Sequence, residues 1–388
     1  MSFASFMAEA LYHPEDGYYA NGDRMIGRHG DFYTSVSVGS LLGVLLAWRF
    51  ARWSRSLPPG PIQWVEAGAH DGTLAADILA WLSEFEPDLA GRLTYVIAEP
   101  TAALAARQRS KLSGFGPKVN WVRTLEELPP ASVRGVIFSN ELLDAMPLHR
   151  FGWDRERACW FEWGVGESSG TAGSFGWARL ADTPALRWFA SWSHSAGMHL
   201  PALPPMLPDP FGLGEPLPKA LLEQLPDGFT FETSRDALDW WAMAASRLEV
   251  GSLITIDYGL EIEELLHPSR RNGTARAYRK HQLVDDLLSA PGTQDLTAHI
   301  NLSAIRTAGE RAGLASEPVV PQETFLVRTL RDASAGTGTG KENTPRWLAG
   351  HMETLRTLTH PGHLGRAFKV IVQKREPAEM LAKTQPTL

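Results

Sequence analysis

The stretch that most constrains this fold is Pro61 to Leu79, PIQWVEAGAHDGTLAADIL. Ile62, Trp64 and Val65 make a short apolar run that ends in Glu66. A small-residue turn follows, Ala67-Gly68-Ala69-His70-Asp71-Gly72, and then an amphipathic run with apolar Leu74, Ala75, Ile78 and Leu79. That order predicts strand, glycine turn and helix, the opening unit of a nucleotide-binding α/β domain. Glycines let the backbone approach a ligand closely, and the free N–H groups of the new helix supply donors there. Taken alone, such a junction is equally compatible with no ligand, because every doubly wound fold contains connections of this kind.

Two carboxylates change the balance. Glu66 would repel a pyrophosphate but would accept hydrogen bonds from an ammonium or from ribose hydroxyls. The spacing of Gly68 and Gly72 also departs from the GxGxxG dinucleotide pattern. The next β-rich run, Leu93 to Ala98, ends at Glu99-Pro100, where an adenosine ribose is held through its hydroxyls. A cationic sulfonium with an amino acid tail and no phosphate, S-adenosylmethionine, fits these ends better than NAD.

The alternation continues with a helix over 101–112, a third strand over Lys118–Val122 and a fourth over Val133–Ser139. Such βαβ repetition implies a parallel sheet with helices on both faces, and its ligand lies beyond the carboxyl ends of the strands. The fourth strand runs into Asn140, Glu141 and Asp144, which therefore stand near the cofactor's reactive end. A helix start with Asn140 as N-cap and two acids in the first turn reads equally well there. Residues 1–57 are expected as an N-terminal helical cap. Residues 58–151 and 231–388 are expected as the Rossmann-like core, with 152–230 an inserted lobe rich in Trp and Pro. Ser252–Ile256 reads as a buried strand ending in Asp257-Tyr258-Gly259, and Phe368–Val372 as a terminal strand. GTARAY (273–278) and DLTAH (295–299) read as loops, and 331–343 as a flexible one.

Composition excludes several classes. A chain of 388 residues with a net charge of −7 has no overall electrostatic footprint for nucleic acid. Cys159 is the only cysteine, so there is no intramolecular disulfide or cysteine-cluster metal site, and a reducing compartment is expected. No run of about 18 apolar residues is present, and the N-terminus lacks a basic n-region or Arg/Ser-rich presequence. Cytoplasm is the expected location. A protein substrate and a homodimer are the expected partners, without nucleic acid or membrane insertion.

In this order the segments resemble the MidA-like family, whose mitochondrial members are arginine methyltransferases needed for assembly of respiratory complex I. The resemblance rests on ALYHPEDGYY, GDFYTS, EAGAHDGTLAADIL, Glu99-Pro100 with Gln108, NELLDAMPLHRF, IDYG, GTARAY with His281, DLTAHI and FKVIVQ, and spans nearly the whole chain. It implies a class I, S-adenosylmethionine-dependent methyltransferase domain with a second lobe formed by insertions. Carried over by position, Gly68, Gly72, Glu99 and Asn140 are cofactor residues, joined by Glu66, Ala69, His70 and Pro100. The resemblance also brings the GDFYTS loop, with Gly30, Asp31 and Thr34, from a bland cap into the active site. Three departures stand out: His70 at the centre of a turn that usually reads GxGxG, Val36-Ser37 in place of Pro-Glu, and Asn301 in place of Asp. At His70 a side chain is tolerable if φ is negative. The two missing acids weaken a guanidinium site, which needs paired carboxylates.

Methyl transfer is an in-line displacement that depends on positioning and desolvation. Glu141 and Asp144 are the expected catalytic residues, orienting a nitrogen nucleophile and stabilising its developing charge. Asp257 and Tyr258 are further candidates, with Arg276, Tyr278 and His299 lining a substrate cleft. A largely non-catalytic S-adenosylmethionine-binding assembly factor, a small-molecule methyltransferase and, more distantly, a nicotinamide oxidoreductase are the competing readings.

Overall fold

A computed structural model describes residues 1–19, 35–168, 174–193, 208–280, 282–335, 346–348, 350–360, 362 and 364–377. The glycine turn and its flanks form as the sequence predicts. Strand β1 (Ile62–Ala67) leads through the turn into the helix Thr73–Phe85. Then follow β2 (Leu93–Ala98), the helix Ala102–Lys111, β3 (Val119–Val122) and β4 (Val133–Asn140). β5 (His149–Asp154), β6 (Cys159–Glu167), β7 (Phe175–Leu180) and β8 (Thr230–Thr233) form a separate antiparallel sheet ordered β7-β6-β5-β8. The chain returns through the helix Arg235–Arg247 to β9 (Leu248–Leu260).

The later strands are β10 (Arg276–Arg279), β11 (Gln282–Val284), β12 (Asp295–Thr297), β13 (Ile300–Asn301), β14 (Ala315–Ser316), β15 (Val320–Pro321) and β16 (Phe368–Arg375). The central sheet runs β14-β16-β9-β4-β1-β2-β3. Its members from β3 to β9 are parallel, and β16 is antiparallel to β9.

Both faces of this sheet are buried, which the alternation along each strand accounts for. Ile62 and Trp64 of β1, Tyr95 and Ile97 of β2, and Val136 and Phe138 of β4 pack with the helices Leu41–Arg55 and Thr73–Phe85. Val65 and Ala67, Val96 and Ala98, and Ile137 face the helices Arg235–Arg247 and Leu302–Arg311 and the antiparallel sheet. Among described residues, no helix is long and apolar enough to cross a membrane.

Four expectations change. The segment 1–57 is divided: Phe3–Tyr12 packs with Ala277, Leu296 and Leu148, while Leu41–Arg55 lies on the sheet face. β9 has 13 residues, well beyond 252–256. It lies between β4 and β16; Glu249 falls at the register shift, exposed and paired with Arg134, and Asp257 is a buried acceptor of backbone N–H groups. GTARAY and DLTAH contribute β10 and β12 to a small sheet ordered β11-β10-β12, whose strands of three or four residues are too short to show a period. Arg331–Ala335 ends the helix Gln322–Ala335 rather than starting a loop, and 336–343 lie outside the described residues.

Candidate functional site

The strand ends of β1, β2, β4 and β9 converge. Gly68 and Gly72 both have positive φ, 74° and 83°. A Cβ on Gly68 would meet Leu142 Cδ1 at 2.9 Å, a side-chain end that can move, so it is the positive φ that favours glycine there. His70 at the turn centre has φ 46°, in the left-handed region and not the negative φ expected. Histidine is one of the few side-chain-bearing residues that visit this region with any frequency. Its side chain is 37% exposed and lies 3.7 Å from Asp71, on the lining of the site. The His70 carbonyl accepts from Gln108 Nε2 at 2.8 Å.

Glu99 is fixed on the far side of the same amide. Its Oε2 accepts from Gln108 Nε2 at 3.0 Å and its Oε1 from the Thr101 N–H at 2.9 Å, while Trp121 Nε1 donates to Gln108 Oε1. Gln108 thus ties the glycine turn to the β2 acid. Glu66, almost fully buried, accepts from the Tyr95 hydroxyl at 2.6 Å; burial pushes its carboxyl up to about 7, against the lowering effect of that bond.

After β4 the chain does not enter an α-helix, so the N-cap reading of Asn140 does not hold. Glu141 adopts φ 54°, and a 3-10 turn follows over Leu143–Ala145. Asp257 explains this path. It is completely buried and accepts from the Leu142 and Leu143 N–H groups at 3.2 and 2.8 Å and from its own Tyr258 N–H at 2.8 Å. Asp257 therefore fastens the turn from behind and borders neither of the two cavities described below. Asp144 Oδ2 accepts from Thr297 Oγ1 at 2.7 Å. Burial holds both carboxyls above the usual range, and the charge of Asp144 raises Asp257 further. Tyr258 packs on Phe368 with centroids 4.0 Å apart, also outside the cavities.

Two cavities open here. One of about 150 Å³ is lined by Val36, Ser37, Glu66, Asn140 and the glycine turn; one of about 300 Å³ includes Glu99, Pro100, Thr101, Leu142 and Tyr12. Gly68, His70 and Glu141 border both. Glu141 Oε1 accepts from Ser35 N–H at 3.1 Å and Asn140 Nδ2 at 3.0 Å. Its Oε2, and Asn140 Oδ1, are buried with no partner among the described residues. Burial, with the charge of Asp144, pushes the Glu141 carboxyl up to about 8. Acids with no lysine or arginine among the described lining residues of the smaller cavity, an orphaned carboxylate oxygen and a glycine turn fit a cationic ligand without phosphate.

Gly30, Asp31, Thr34 and His281 lie outside the described residues. His299 is kept neutral down to about 4 by burial, with neighbouring arginines adding, and borders a separate space of about 20 Å³. Asn301 is not a missing site acid. It caps the helix Leu302–Arg311 through Ala304 N–H and donates to the Pro210 carbonyl, which an aspartate could not do. Sequence reasoning missed Tyr12, Tyr19 and Trp240, all on the larger cavity. The two tyrosines sat in ALYHPEDGYY with no hint of where that motif folds; Trp240 carried no signal.

A sheet of this order with acids closing β1 and β2 around a glycine turn defines a class I S-adenosylmethionine-dependent methyltransferase. The chain belongs to the S-adenosyl-L-methionine-dependent methyltransferase family, whose model matches residues 44–320. It is 28% identical to the mitochondrial protein arginine methyltransferase NDUFAF7 homolog of Drosophila melanogaster, over 95% of this chain and 80% of that protein. It is 24% identical to the mitochondrial protein arginine methyltransferase NDUFAF7 of Homo sapiens, over 95% and 78%. A methyl transferase superfamily member from Burkholderia thailandensis, solved with S-adenosyl-homocysteine bound, superposes at a TM-score of 0.75 with 27% identity, covering 97% of this chain and 88% of that one. Fold class, family and cofactor thus agree with the sequence reading. The expected cytoplasmic location differs from the mitochondrial one in the relatives' names.

The raised acids give stability a pH dependence. Glu66 and Glu141 hold protons to about 7 and about 8, whereas an unfolded chain releases them near about pH 4.3. Their contribution is complete below that lower value and is lost as pH rises through the folded ones. His299 acts in the opposite sense, but only between about 4 and its unfolded value of about 6.5. From pH 6.5 to 8 the melting temperature of the ligand-free protein is therefore expected to fall. Saturating S-adenosylmethionine should flatten that fall, because a cation beside these carboxylates favours their charged forms. A level ligand-free profile in thermal scans would contradict this account.

Proposed function

We propose that this methyltransferase acts on an arginine side chain of a protein. The observation that carries this reading is Glu141 Oε2, a buried acceptor without a partner among the described residues, where the two cavities meet. The names of the relatives support it.

When bound, S-adenosylmethionine would supply an electrophilic methyl group, its S–CH3 bond breaking and S-adenosylhomocysteine leaving as the N–C bond forms. In this reading Glu99 accepts from the ribose hydroxyls, and Glu66 and Asn140 face the amino acid end over the Gly68–Gly72 turn. Glu141 accepts one N–H of the guanidinium at Oε2, orients its nitrogen, and takes up there the proton released once the new N–C bond has formed. Asp257 positions the turn that carries Glu141, and Asp144 stands behind it. The partner named by this reading is a protein substrate rather than a second copy of the chain. Cytoplasm remains the proposed location, and the single cysteine fits a reducing compartment of that kind.

The test is to incubate the purified protein with methyl-labelled S-adenosylmethionine and peptide pools that contain arginine, lysine or neither. Label located on arginine by mass spectrometry is the expected result. Label on lysine alone, or on no peptide, would overturn the proposal.

A further inference from the structure

One wall of the larger cavity has no part in the chemistry described so far. Tyr12 and Tyr19 border it, their rings stacked with centroids 5.4 Å apart and planes 26° from parallel. Tyr18 meets Tyr19 edge-on at 5.2 Å. Both phenols are pinned to the chain itself. The Tyr12 hydroxyl donates to the Ala145 carbonyl at 2.9 Å, and the Tyr19 hydroxyl to Asp295 Oδ1 at 3.0 Å. With their hydroxyls engaged, these residues offer a ligand ring surface in a fixed place. Ala145 lies four residues after Glu141, and Asp295 opens β12, whose Thr297 holds Asp144, so the wall is braced by the same turn that carries Glu141, and Glu141 borders the same cavity. The arginine on the cavity lining, Arg123, follows β3, which pairs with β2 just before Glu99.

A cation over a π-face strengthens binding by about 2- to 30-fold, and such a face more often selects a guanidinium, which is planar and weakly hydrated, than an ammonium. A carboxylate oxygen at the cavity floor suits the N–H edge of the same group. Ring faces on one side and a lone acceptor on the floor thus match one substrate side chain.

We infer that Tyr12 and Tyr19 form the wall on which the substrate guanidinium stacks while Glu141 binds its edge, which makes them the residues that select arginine over lysine. The inference rests on the arginine reading above, and the experiment separates the two. Steady-state kinetics are measured with arginine and lysine peptides for the wild type, Tyr12→Leu, Tyr12→Phe and Tyr19→Leu. The S-adenosylmethionine Kd of each is measured by calorimetry, and its fold by circular dichroism.

Tyr12→Leu is expected to raise KM for the arginine peptide about tenfold, within the range of such contacts, with kcat and the cofactor Kd little changed. Tyr12→Phe, which keeps the ring, should recover most of that loss, and Tyr19→Leu should reduce the preference for arginine over lysine. Tyr12 is 44% exposed, so its replacement opens no core cavity. An unchanged KM in both leucine variants would overturn the inference and leave the arginine reading intact. So would a cofactor Kd weakened as much as KM, since the wall would then serve the cofactor. A wild type that methylates no arginine peptide would sink both together.

Discussion

Glu141→Gln is expected to lower kcat by about a hundredfold or more, with S-adenosylmethionine still bound at near wild-type affinity. The two side chains are nearly the same shape, and glutamine Oε1 can still accept from Ser35 N–H and Asn140 Nδ2. What is lost is negative charge at Oε2, the oxygen that has no partner among the described residues. That charge has two tasks in the proposed chemistry, to stabilise the cation that grows as nitrogen attacks and to take the released proton. Removing one group in such a role costs about 10² to 10⁴ in rate. The low-dielectric surroundings that push the carboxyl up to about 8 are also those in which its charge acts most strongly on a neighbour. Single-turnover assays with calorimetry in parallel decide the matter. A kcat within about threefold of wild type would remove Glu141 from the chemistry.

Glu99→Ala should affect binding in place of rate. The carboxylate is held by Thr101 N–H and Gln108 Nε2 with lone pairs to spare, and borders the larger cavity. Alanine removes the acceptor for the ribose hydroxyls, each charge-assisted bond contributing about 1.5 to 3 kcal/mol. It also frees Gln108, whose amide joins His70 to Trp121, so the glycine turn loses a brace. An increase of about a hundredfold in the S-adenosylmethionine Kd is expected by calorimetry, with no NADH binding in either protein. A Kd within about threefold of wild type, in a variant with an unchanged circular dichroism spectrum, would place the ribose elsewhere.

What could be read from the sequence was local. The glycine turn and the acids closing β1 and β2 were legible because each strand–turn–helix unit is continuous in the chain and repeats with regular spacing. Asn140, Glu141 and Asp144 were legible as a group for the same reason. The conformation of Glu141 was not, because it is set by Asp257, 116 positions later, through hydrogen bonds to Leu142 and Leu143. The tyrosine wall was hidden likewise: Tyr12 bonds to Ala145 and Tyr19 to Asp295, pairings with no local periodicity behind them. Asn301 shows the reverse error. An apparently missing acid is a helix cap that also donates to a carbonyl, a task the residue type alone does not reveal.

The position of β9 has a consequence for how the molecule assembles. It pairs with β4, yet the whole antiparallel sheet lies between them in sequence, since β4 ends at Asn140 and β9 begins at Leu248. Closing so long a loop carries an entropic cost, which is smaller once the intervening strands have collapsed into their own hairpins. During synthesis β1 to β4 emerge first and can form the glycine turn and the β2 acid without help. Asp257 emerges more than a hundred residues later, and until then the segment after β4 lacks the carboxylate that bends it. The chain thus has its glycine turn and β2 acid early and its acidic centre late, and a nascent chain shorter than about 257 residues carries the first without the second.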